Sequence, residues 1–298
     1  MQSELYNRYE DNQLDRSSQL QVGIIGLGNM GTAFMNGLTA IESFNGQVFV
    51  CSRTGEETIA RLKNEVLSSK IQIGENNFSV IDASDIIFLC LKQGQMKEEL
   101  MKWRESGLLL KDKLLVSCAA GIRIDTIKKW LGNDKQPVAR VMPNTPASVG
   151  RGVFGWTVSD EVTVGQKNQL EDLFSRIGTE FYVRKESDID IITALSGSGP
   201  AYIYFLVEHM IQSAIEMGLD LESAEIIARQ TLIGAAALLE ANSELSIKTL
   251  RKNITSPKGT TEAAIAQLTS LGFELGIKEA MRAAKKRAGE IALEYDYS

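Results

Sequence analysis

Short apolar runs alternate with longer amphipathic stretches from Gln21 onward. Runs rich in β-branched residues predict strands, and the stretches between them predict crossover helices, so the pattern is typical of a parallel Rossmann-type sheet. The main predicted strands are Gln21–Ile25, Gln47–Cys51, 85–91, 113–117 and 137–142, and weaker candidates are Ile71–Ile73, Gly152–Val158 and 180–183.

After about Ser187 the pattern changes to helical spacing of Ala, Leu, Ile, Glu and Lys. Ser198 is expected to cap the first long helix, with Pro200 in its first turn, where the missing N–H has no cost. The predicted helices are 200–218, 222–242, Ile247–Asn253, 260–271 and 274–293. The sequence therefore predicts an α/β N-terminal Rossmann-type domain followed by an all-α C-terminal domain.

Three segments follow from these patterns: a loose polar tail at 1–20, a nucleotide-binding domain at 21–186 and a helical domain at 187–298. The helical half has much apolar surface, and its run of small residues at 234–237 permits close helix approach. We therefore expect a homo-oligomer formed through the helical domain, with a dimer as the building block.

Composition narrows the class of partner. Of 298 residues, 44% are hydrophobic and 23% charged, as in soluble globular proteins. The formal net charge of -6 disfavours nucleic acid. The first residues lack the apolar core of a signal peptide, and no apolar run reaches the length of about 18 residues that suggests a membrane span. We therefore expect neither a nucleic acid nor a membrane as partner; a small-molecule substrate is expected from the motifs below.

Cysteine and histidine usage adds two expectations. Cys51, Cys90 and Cys118 are odd in number and have no CxxC spacing, which favours reduced thiols in a cytoplasmic protein. His209 is the one histidine and lies in a helical pattern, so a metal site is not expected.

A glycine-rich turn follows the first predicted strand. It contains Gly26, Gly28, Asn29, Met30 and Gly31 and leads into a helical stretch, which is the strand–turn–helix context of a GxGxxG dinucleotide site. Glycines permit a tight turn and close approach of the backbone to a pyrophosphate at the helix N-terminus. A purely structural glycine turn is the alternative.

The end of the second strand indicates which dinucleotide binds. Ser52, Arg53 and Thr54 follow it, and no carboxylate occurs until Glu56. A carboxylate there suits the ribose hydroxyl of NAD, whereas a guanidinium and hydroxyls suit a 2′-phosphate. We expect NADPH as cofactor, with NADH as a weaker donor, although Arg53 also suits a surface turn.

Two other strand ends supply candidate groove residues. Leu91 and Lys92 end the strand at 85–91, at the sheet edge where cofactors lie, although a solvated lysine is equally compatible with this position. Asn144 lies between two prolines and is expected to point at the nicotinamide region.

Four blocks together are more specific than any single motif: GLGNMG at 26–31, VMPNTP at 141–146, ALSGSGPAY at 194–202 and ITSPKGTTEAAI at 254–265. Through them the chain resembles the pyrroline-5-carboxylate reductase family over nearly all of 22–294. The resemblance implies reduction of 1-pyrroline-5-carboxylate to L-proline by NADPH, the last step of proline biosynthesis. The alternatives are a hydroxyacid dehydrogenase with the same glycine motif and a catalytically silent NADPH-binding regulator.

The last block also predicts an anion site from the residues themselves, because Thr260 and Thr261 open a helix whose N-terminus suits a small carboxylate. The resemblance implies that amides around Gly259, Thr260 and Thr261 and the Ser256 hydroxyl hold the substrate carboxylate. It also implies that Thr261 reaches the ring nitrogen, so that Thr261 and Ser256 are the catalytic candidates. Simple helix capping is the alternative for both hydroxyls.

Two further residues are assigned through the resemblance alone: Glu244 as a carboxylate near the substrate and Asn77 as a neighbour of the cofactor ribose. The chain departs from the common family pattern at Lys258, where a glycine is usual, and at Gln93, where a proline is frequent. A lysine is less favourable than glycine if that backbone needs a positive φ.

Overall fold

A computed structural model of the chain describes residues 20–40, 44–51, 70–108, 110 and 112–296. The predicted tail up to residue 19 and the predicted cofactor residues Ser52, Arg53 and Thr54 lie outside these ranges. The described residues form two compact units, one up to Ile189 together with the residues from Ile291, the other Asp190–Glu290. The last residues of the final helix thus group with the first unit, whereas the sequence-based division at 187 assigned them to the helical domain.

The first unit contains a sheet whose described strands lie in the order β3-β2-β1-β4-β5-β6-β7-β8. Neighbouring strands are parallel except β6 and β7. The strands are β1 (Gln21–Ile25), β2 (Gln47–Cys51), β3 (Ile71–Ile73), β4 (Ile86–Leu89), β5 (Leu114–Ser117), β6 (Val138–Met142), β7 (Gly152–Val158) and β8 (Gly178–Tyr182).

Helices cover both faces of this sheet. They are α1 (Asn29–Thr39), α2 (Asn77–Asp82), α3 (Gln93–Glu105), α4 (Ile124–Leu131) and α5 (Val164–Ile177), with 3-10 helices at Thr145–Val149 and Glu186–Asp188. Because strand side chains alternate between faces, Ile86 and Phe88 of β4 enter one core cluster and Ile87 and Leu89 the other. This two-faced burial explains why β4 is an uninterrupted apolar run.

The antiparallel pairing of β6 and β7 corrects the expectation of parallel strands throughout. Only the short 3-10 helix Thr145–Val149 and its flanking residues connect the two strands. A parallel crossover needs about a dozen residues or more, so the chain must turn back beside β6. The same 3-10 helix packs against α1, and a Cβ placed on Gly37 would lie 3.0 Å from the Ala147 carbonyl oxygen.

The second unit is helical, as the sequence predicts. Its helices are a π-helix at Thr193–Gly197, α7 (Gly199–Glu216), α8 (Leu221–Ala241), α9 (Ile247–Asn253), α10 (Thr260–Ser270) and most of α11 (Phe273–Asp296); α6 (Ile189–Ile192) lies at the boundary between units. The prediction that Ser198 is the N-cap residue of α7, with Pro200 in the first turn, is confirmed. Ser198 has helical backbone angles and makes no side-chain cap, because the π-helix leads directly into α7.

The second unit buries little apolar surface of its own. Its buried hydrophobic residues are all alanines: Ala194, Ala224, Ala228 and Ala288. Larger apolar side chains are exposed, including Met217 at 81% and Ile247 at 71%. Exposed apolar area of this extent marks a surface that another molecule covers. Across the described part of the chain, no helix combines the length and hydropathy needed to cross a membrane.

Candidate active site

The three glycines of the turn after β1 have different structural environments. Gly26 has a φ of +95°, and a Cβ there would lie 2.6 Å from the Cys90 carbonyl oxygen. A Cβ on Gly31 would lie 1.9 Å from the Gly26 carbonyl oxygen. A Cβ on Gly28 would meet nothing within 4 Å. These environments match the roles of a dinucleotide fingerprint: a tight turn, an open approach for the pyrophosphate and close packing of helix on strand.

The N-terminus of α1 can receive an anion. Gly28 is the N-cap residue and offers no side chain, and the first turn contains no acidic residue. The N–H groups of Asn29, Met30 and Gly31 belong to the first turn, whose donors have no partner within a helix. The Gly26 N–H donates to the Cys51 carbonyl oxygen at 3.0 Å, which fixes the turn to the end of β2. Dipole and donors together favour a phosphate group here.

A cavity of about 330 Å³ opens beside this turn. It brings together five predicted cofactor residues, which are Gly26, Gly28, Asn77, Leu91 and Lys92. Other residues of its lining were not predicted as site residues: Ile25, Leu27, Cys51, Cys90, Gln95 and Glu99. The lining comes from the carboxyl ends of β1, β2 and β4 and from α2 and α3, at the edge where open α/β sheets bind ligands.

Asn77 occupies the first position of α2, which Asn76 caps by accepting a hydrogen bond from the Ser79 N–H at 3.0 Å. The Asn77 Nδ2 donates to Glu99 Oε2 at 3.0 Å. Glu99 also pairs with Lys102, with 3.3 Å between Nζ and Oε1. Sequence reasoning missed Glu99, although Gln95 and Glu99 are four residues apart and therefore share one face of α3.

Asn144 is outside this cavity and lies inside the fold. It is 7% exposed, and its Oδ1 accepts a hydrogen bond from the Val153 N–H at 2.8 Å. The amide therefore joins the end of β6 to the start of β7. Its predicted contact with the nicotinamide stays a prediction, but the observed hydrogen bond gives it a structural role.

Two thiols lie together at the strand ends beside the cavity. Cys90 and Cys118 follow β4 and β5, and their Sγ atoms are 3.7 Å apart. Burial raises the pKa of Cys118 well above its usual range, and the neighbouring Cys90 thiol adds to this. A thiol with a raised pKa is a poor nucleophile, so Cys118 is not a candidate for covalent catalysis.

The other predicted site residues belong to the second unit. The chain turns at Ser256, whose carbonyl oxygen accepts from the Gly259 N–H at 3.0 Å, and Gly259 is the N-cap of α10. Gly259 provides no side-chain cap, and no hydrogen bond from a Ser256, Thr260 or Thr261 hydroxyl occurs among the described residues. The alternative that the Ser256 and Thr261 hydroxyls serve as helix caps is therefore not what the structure describes.

Lys258 has a φ of +59°, so this backbone does adopt the left-handed conformation that suits glycine. Its N–H donates to Glu262 Oε2 at 2.7 Å, which ties the turn to the first turn of α10. Glu244 lies in the segment between α8 and α9, and its side chain is exposed. Five of the cofactor candidates thus share one cavity in the first unit, and the substrate candidates flank α9 and open α10 in the second.

Comparisons with known proteins cover both units. The family model described as pyrroline-5-carboxylate reductase dimerisation matches residues 186–291, and the model described as NADP oxidoreductase, coenzyme F420-dependent, matches residues 21–121. The chain is 35% identical to the pyrroline-5-carboxylate reductase of Pseudomonas aeruginosa over 91% of this chain and 97% of that protein. It is also 35% identical to pyrroline-5-carboxylate reductase 2 of Bacillus subtilis, over 91% of this chain and 95% of that protein.

Solved structures agree with these sequence similarities. A pyrroline-5-carboxylate reductase from Coxiella burnetii superposes with a TM-score of 0.80 at 32% identity, covering 92% of this chain and 99% of that chain. The pyrroline carboxylate reductase of Plasmodium falciparum, solved with NADP bound, gives a TM-score of 0.77 at 27% identity, covering 92% and 98%.

Proposed function

The chain belongs to the pyrroline-5-carboxylate reductase family, and we propose that it reduces the C=N bond of 1-pyrroline-5-carboxylate to form L-proline, the last step of proline biosynthesis. Its cofactor is NADP(H). Similarity over both units carries the proposal, since the first unit alone is a fold shared by many reactions. The direct test is NADPH consumption by the purified protein with this substrate.

On the cofactor side, the open position at Gly28 supports close approach of a pyrophosphate, which a side chain there would prevent. The N–H groups of Asn29 and Met30 hold the phosphate oxygens, and Asn77, Leu91 and Lys92 line the groove. When bound, NADPH supplies the hydride. The preference for NADPH rests on Ser52, Arg53 and Thr54. Arg53→Ala should raise the Michaelis constant for NADPH and leave that for NADH nearly unchanged; equal effects on both would defeat this assignment.

On the substrate side, the start of α10 supports a carboxylate site, because its N–H groups and dipole favour an anion. The amides of Gly259 and Thr260 and the Ser256 hydroxyl hold the carboxylate, and Glu244 lies near the bound ring. The Thr261 hydroxyl contacts the ring nitrogen and orients the C=N bond. No strong general acid is required when the imine arrives protonated, which suits a site that depends on hydroxyls and amides.

Thr261→Ala tests this arrangement. Turnover should fall by more than about tenfold, equivalent to about 1.4 kcal/mol of transition-state stabilisation. Thr261→Ser keeps the hydroxyl and serves as the control, so it should retain most of the rate. A near-normal rate for Thr261→Ala would remove this hydroxyl from the mechanism.

The building block is a homodimer, in keeping with the dimerisation family model. Its interface includes the apolar groove between α7 and α8, which is lined by Ile211, Ile215, Leu221 and Ile233, among others. Ile233→Glu should shift the protein toward monomer in analytical ultracentrifugation at micromolar concentration. Gln169→Glu, on the first unit, makes the same charge change and should not. A wild-type protein that is monomeric at this concentration would exclude the interface.

The assay of NADPH consumption also distinguishes the two alternative functions, a hydroxyacid dehydrogenase and a catalytically silent NADPH-binding regulator. A hydroxyacid dehydrogenase would reduce oxidised cofactor with a hydroxyacid from a panel. A silent regulator would bind NADPH and consume none with any substrate. NADPH oxidation with 1-pyrroline-5-carboxylate, accompanied by proline formation, excludes both.

A further inference from the structure

A carboxylate lies in the proposed dinucleotide cavity. Glu99 lines it from α3, and its side chain is 17% exposed. One carboxylate oxygen accepts from Asn77 Nδ2 at 3.0 Å and the other lies 3.3 Å from Lys102 Nζ. Both contacts help to hold the carboxylate in place on the cavity wall.

The carboxylate determines the orientation of the Asn77 amide. An ionised carboxylate only accepts hydrogen bonds, so the NH₂ group of Asn77 must face Glu99. The amide oxygen Oδ1 then remains as an acceptor, and the described residues provide it with no donor. An acceptor on the wall of the cavity suits a ribose hydroxyl, a group that NADPH and NADH both contain.

The charge of Glu99 also reaches the end of β2. Cys51 ends that strand and lines the same cavity. Burial is the main reason that the pKa of Cys51 is raised, and the negative charge of Glu99 is the second. In this fold the end of the second strand is where the 2′ substituent of the adenosine ribose is recognised. The negative charge of Glu99, on the wall of the same cavity, repels a 2′-phosphate bound at that strand end and leaves a 2′-hydroxyl nearly unaffected.

We propose that Glu99 is a positioning and specificity-determining residue of the cofactor site, with two separable effects. Its hydrogen bond orients Asn77 for the ribose of either cofactor, and its charge moderates the preference for NADPH over NADH. The inference rests on the proposed function only in taking this cavity as the dinucleotide site.

Substitutions at Glu99 separate the two effects in direct titrations of the intact protein with NADPH and NADH. Glu99→Gln keeps an acceptor for Asn77 and removes the charge, so the dissociation constant for NADPH should fall about fivefold, equivalent to about 1 kcal/mol, while that for NADH stays nearly constant. Glu99→Ala also releases Asn77, so it should bind NADH more weakly than Glu99→Gln does.

Two other variants check the sign and the location of the charge effect. Lys102→Met removes a cation that pairs with Glu99 and should weaken NADPH binding more than NADH binding. Glu98→Gln removes a neighbouring exposed carboxylate that does not line the cavity, and should leave the ratio of the two dissociation constants unchanged. Because salt screens charges, the Glu99→Gln effect should shrink as ionic strength rises.

An unchanged NADPH to NADH ratio in Glu99→Gln would overturn the charge effect, as would an equal shift in Glu98→Gln. Equal NADH affinity in Glu99→Ala and Glu99→Gln would overturn the positioning of Asn77. Failure of the proposed function would be seen in a separate measurement: the wild-type protein would bind the nucleotide but would not oxidise NADPH in the presence of 1-pyrroline-5-carboxylate.

Discussion

The glycines of the turn after β1 allow folding and nucleotide binding to be perturbed separately. In Gly31→Ala the new methyl group would lie 1.9 Å from the Gly26 carbonyl oxygen, far below the 3.4 Å of ordinary contact. Gly26 cannot move away from the new methyl group, because its Cα already lies close to the Cys90 carbonyl group. We expect the helix and strand to separate, at a cost of about 1–3 kcal/mol in the free energy of unfolding.

Gly28→Ala should weaken nucleotide binding and leave the stability of the fold nearly unchanged. Gly28 has a φ of −73° and a ψ of −169°, which alanine adopts without strain, and its Cβ would contact no protein atom. The free energy of unfolding should therefore change by less than about 1 kcal/mol. The methyl group would hold a pyrophosphate away from the N-terminus of α1. Loss of one charge-assisted hydrogen bond, about 1.5–3 kcal/mol, predicts at least a tenfold weaker affinity for NADPH.

Urea unfolding without nucleotide measures the free energy of unfolding, and fluorescence titration with NADPH measures the affinity for the cofactor. Gly165→Ala, in α5, is a suitable control, since its Cβ would meet only the Thr163 hydroxyl at 3.9 Å. Wild-type affinity of Gly28→Ala for NADPH would contradict the role of Gly28, and unfolding of Gly31→Ala at the wild-type urea concentration would contradict the steric role of Gly31.

Three other predictions follow from contacts of single side chains. Lys258→Gly should raise the free energy of unfolding by about 0.5 kcal/mol, because glycine removes the steric strain of a lysine at a φ of +59°, and this gain exceeds the cost of the larger backbone entropy of glycine in the unfolded chain. A lower free energy of unfolding, measured with urea, would contradict this. The Lys128 ammonium holds the pKa of Glu161 at about 2, below its ordinary 4.5, so this carboxylate stabilises the fold above pH 4.5 and the effect is lost as the pH falls toward 2. Glu161→Gln should therefore flatten acid unfolding between these values, and an unchanged acid profile would exclude the pair. Tyr295→Ala should lower the free energy of unfolding by about 1 kcal/mol more than Tyr295→Phe does, because only the alanine variant removes the edge-on ring contact with Trp130 at 5.8 Å; equal stability of the two would argue against that contact.

Local patterns predicted the fold well where one element alone determines the outcome. The short β-branched runs located β1 and β2 at their observed bounds, and the glycine spacing located the turn between β1 and α1. The membership of the pyrroline-5-carboxylate reductase family, inferred from four blocks, is confirmed by the similarity over both units. Each of these signals lies within a few consecutive residues.

Features that depend on contacts between distant residues were not predictable in the same way. The antiparallel direction of β7 is an exception, because the short connection after β6 is visible in the sequence and could have indicated it. The helical backbone at Ser198 follows from a π-helix that no local pattern indicated. Glu99 was missed because its partner Asn77 is 22 residues away, on another helix. The roles of Ser256, Thr261 and the other site residues stay predictions until the variants are measured.

The packing of α1 on the 3-10 helix Thr145–Val149 has a consequence for how the nucleotide site responds to change. The N-terminal end of α1 provides the phosphate donors, while Gly37 near its other end rests on the Ala147 carbonyl. A bulkier residue at Gly37 or Ala147 would push this end of α1 away from the 3-10 helix, so the N-terminal end of α1 would change its position over the sheet. We therefore expect nucleotide affinity to depend on the stretch after β6, even though that stretch forms no part of the cavity lining.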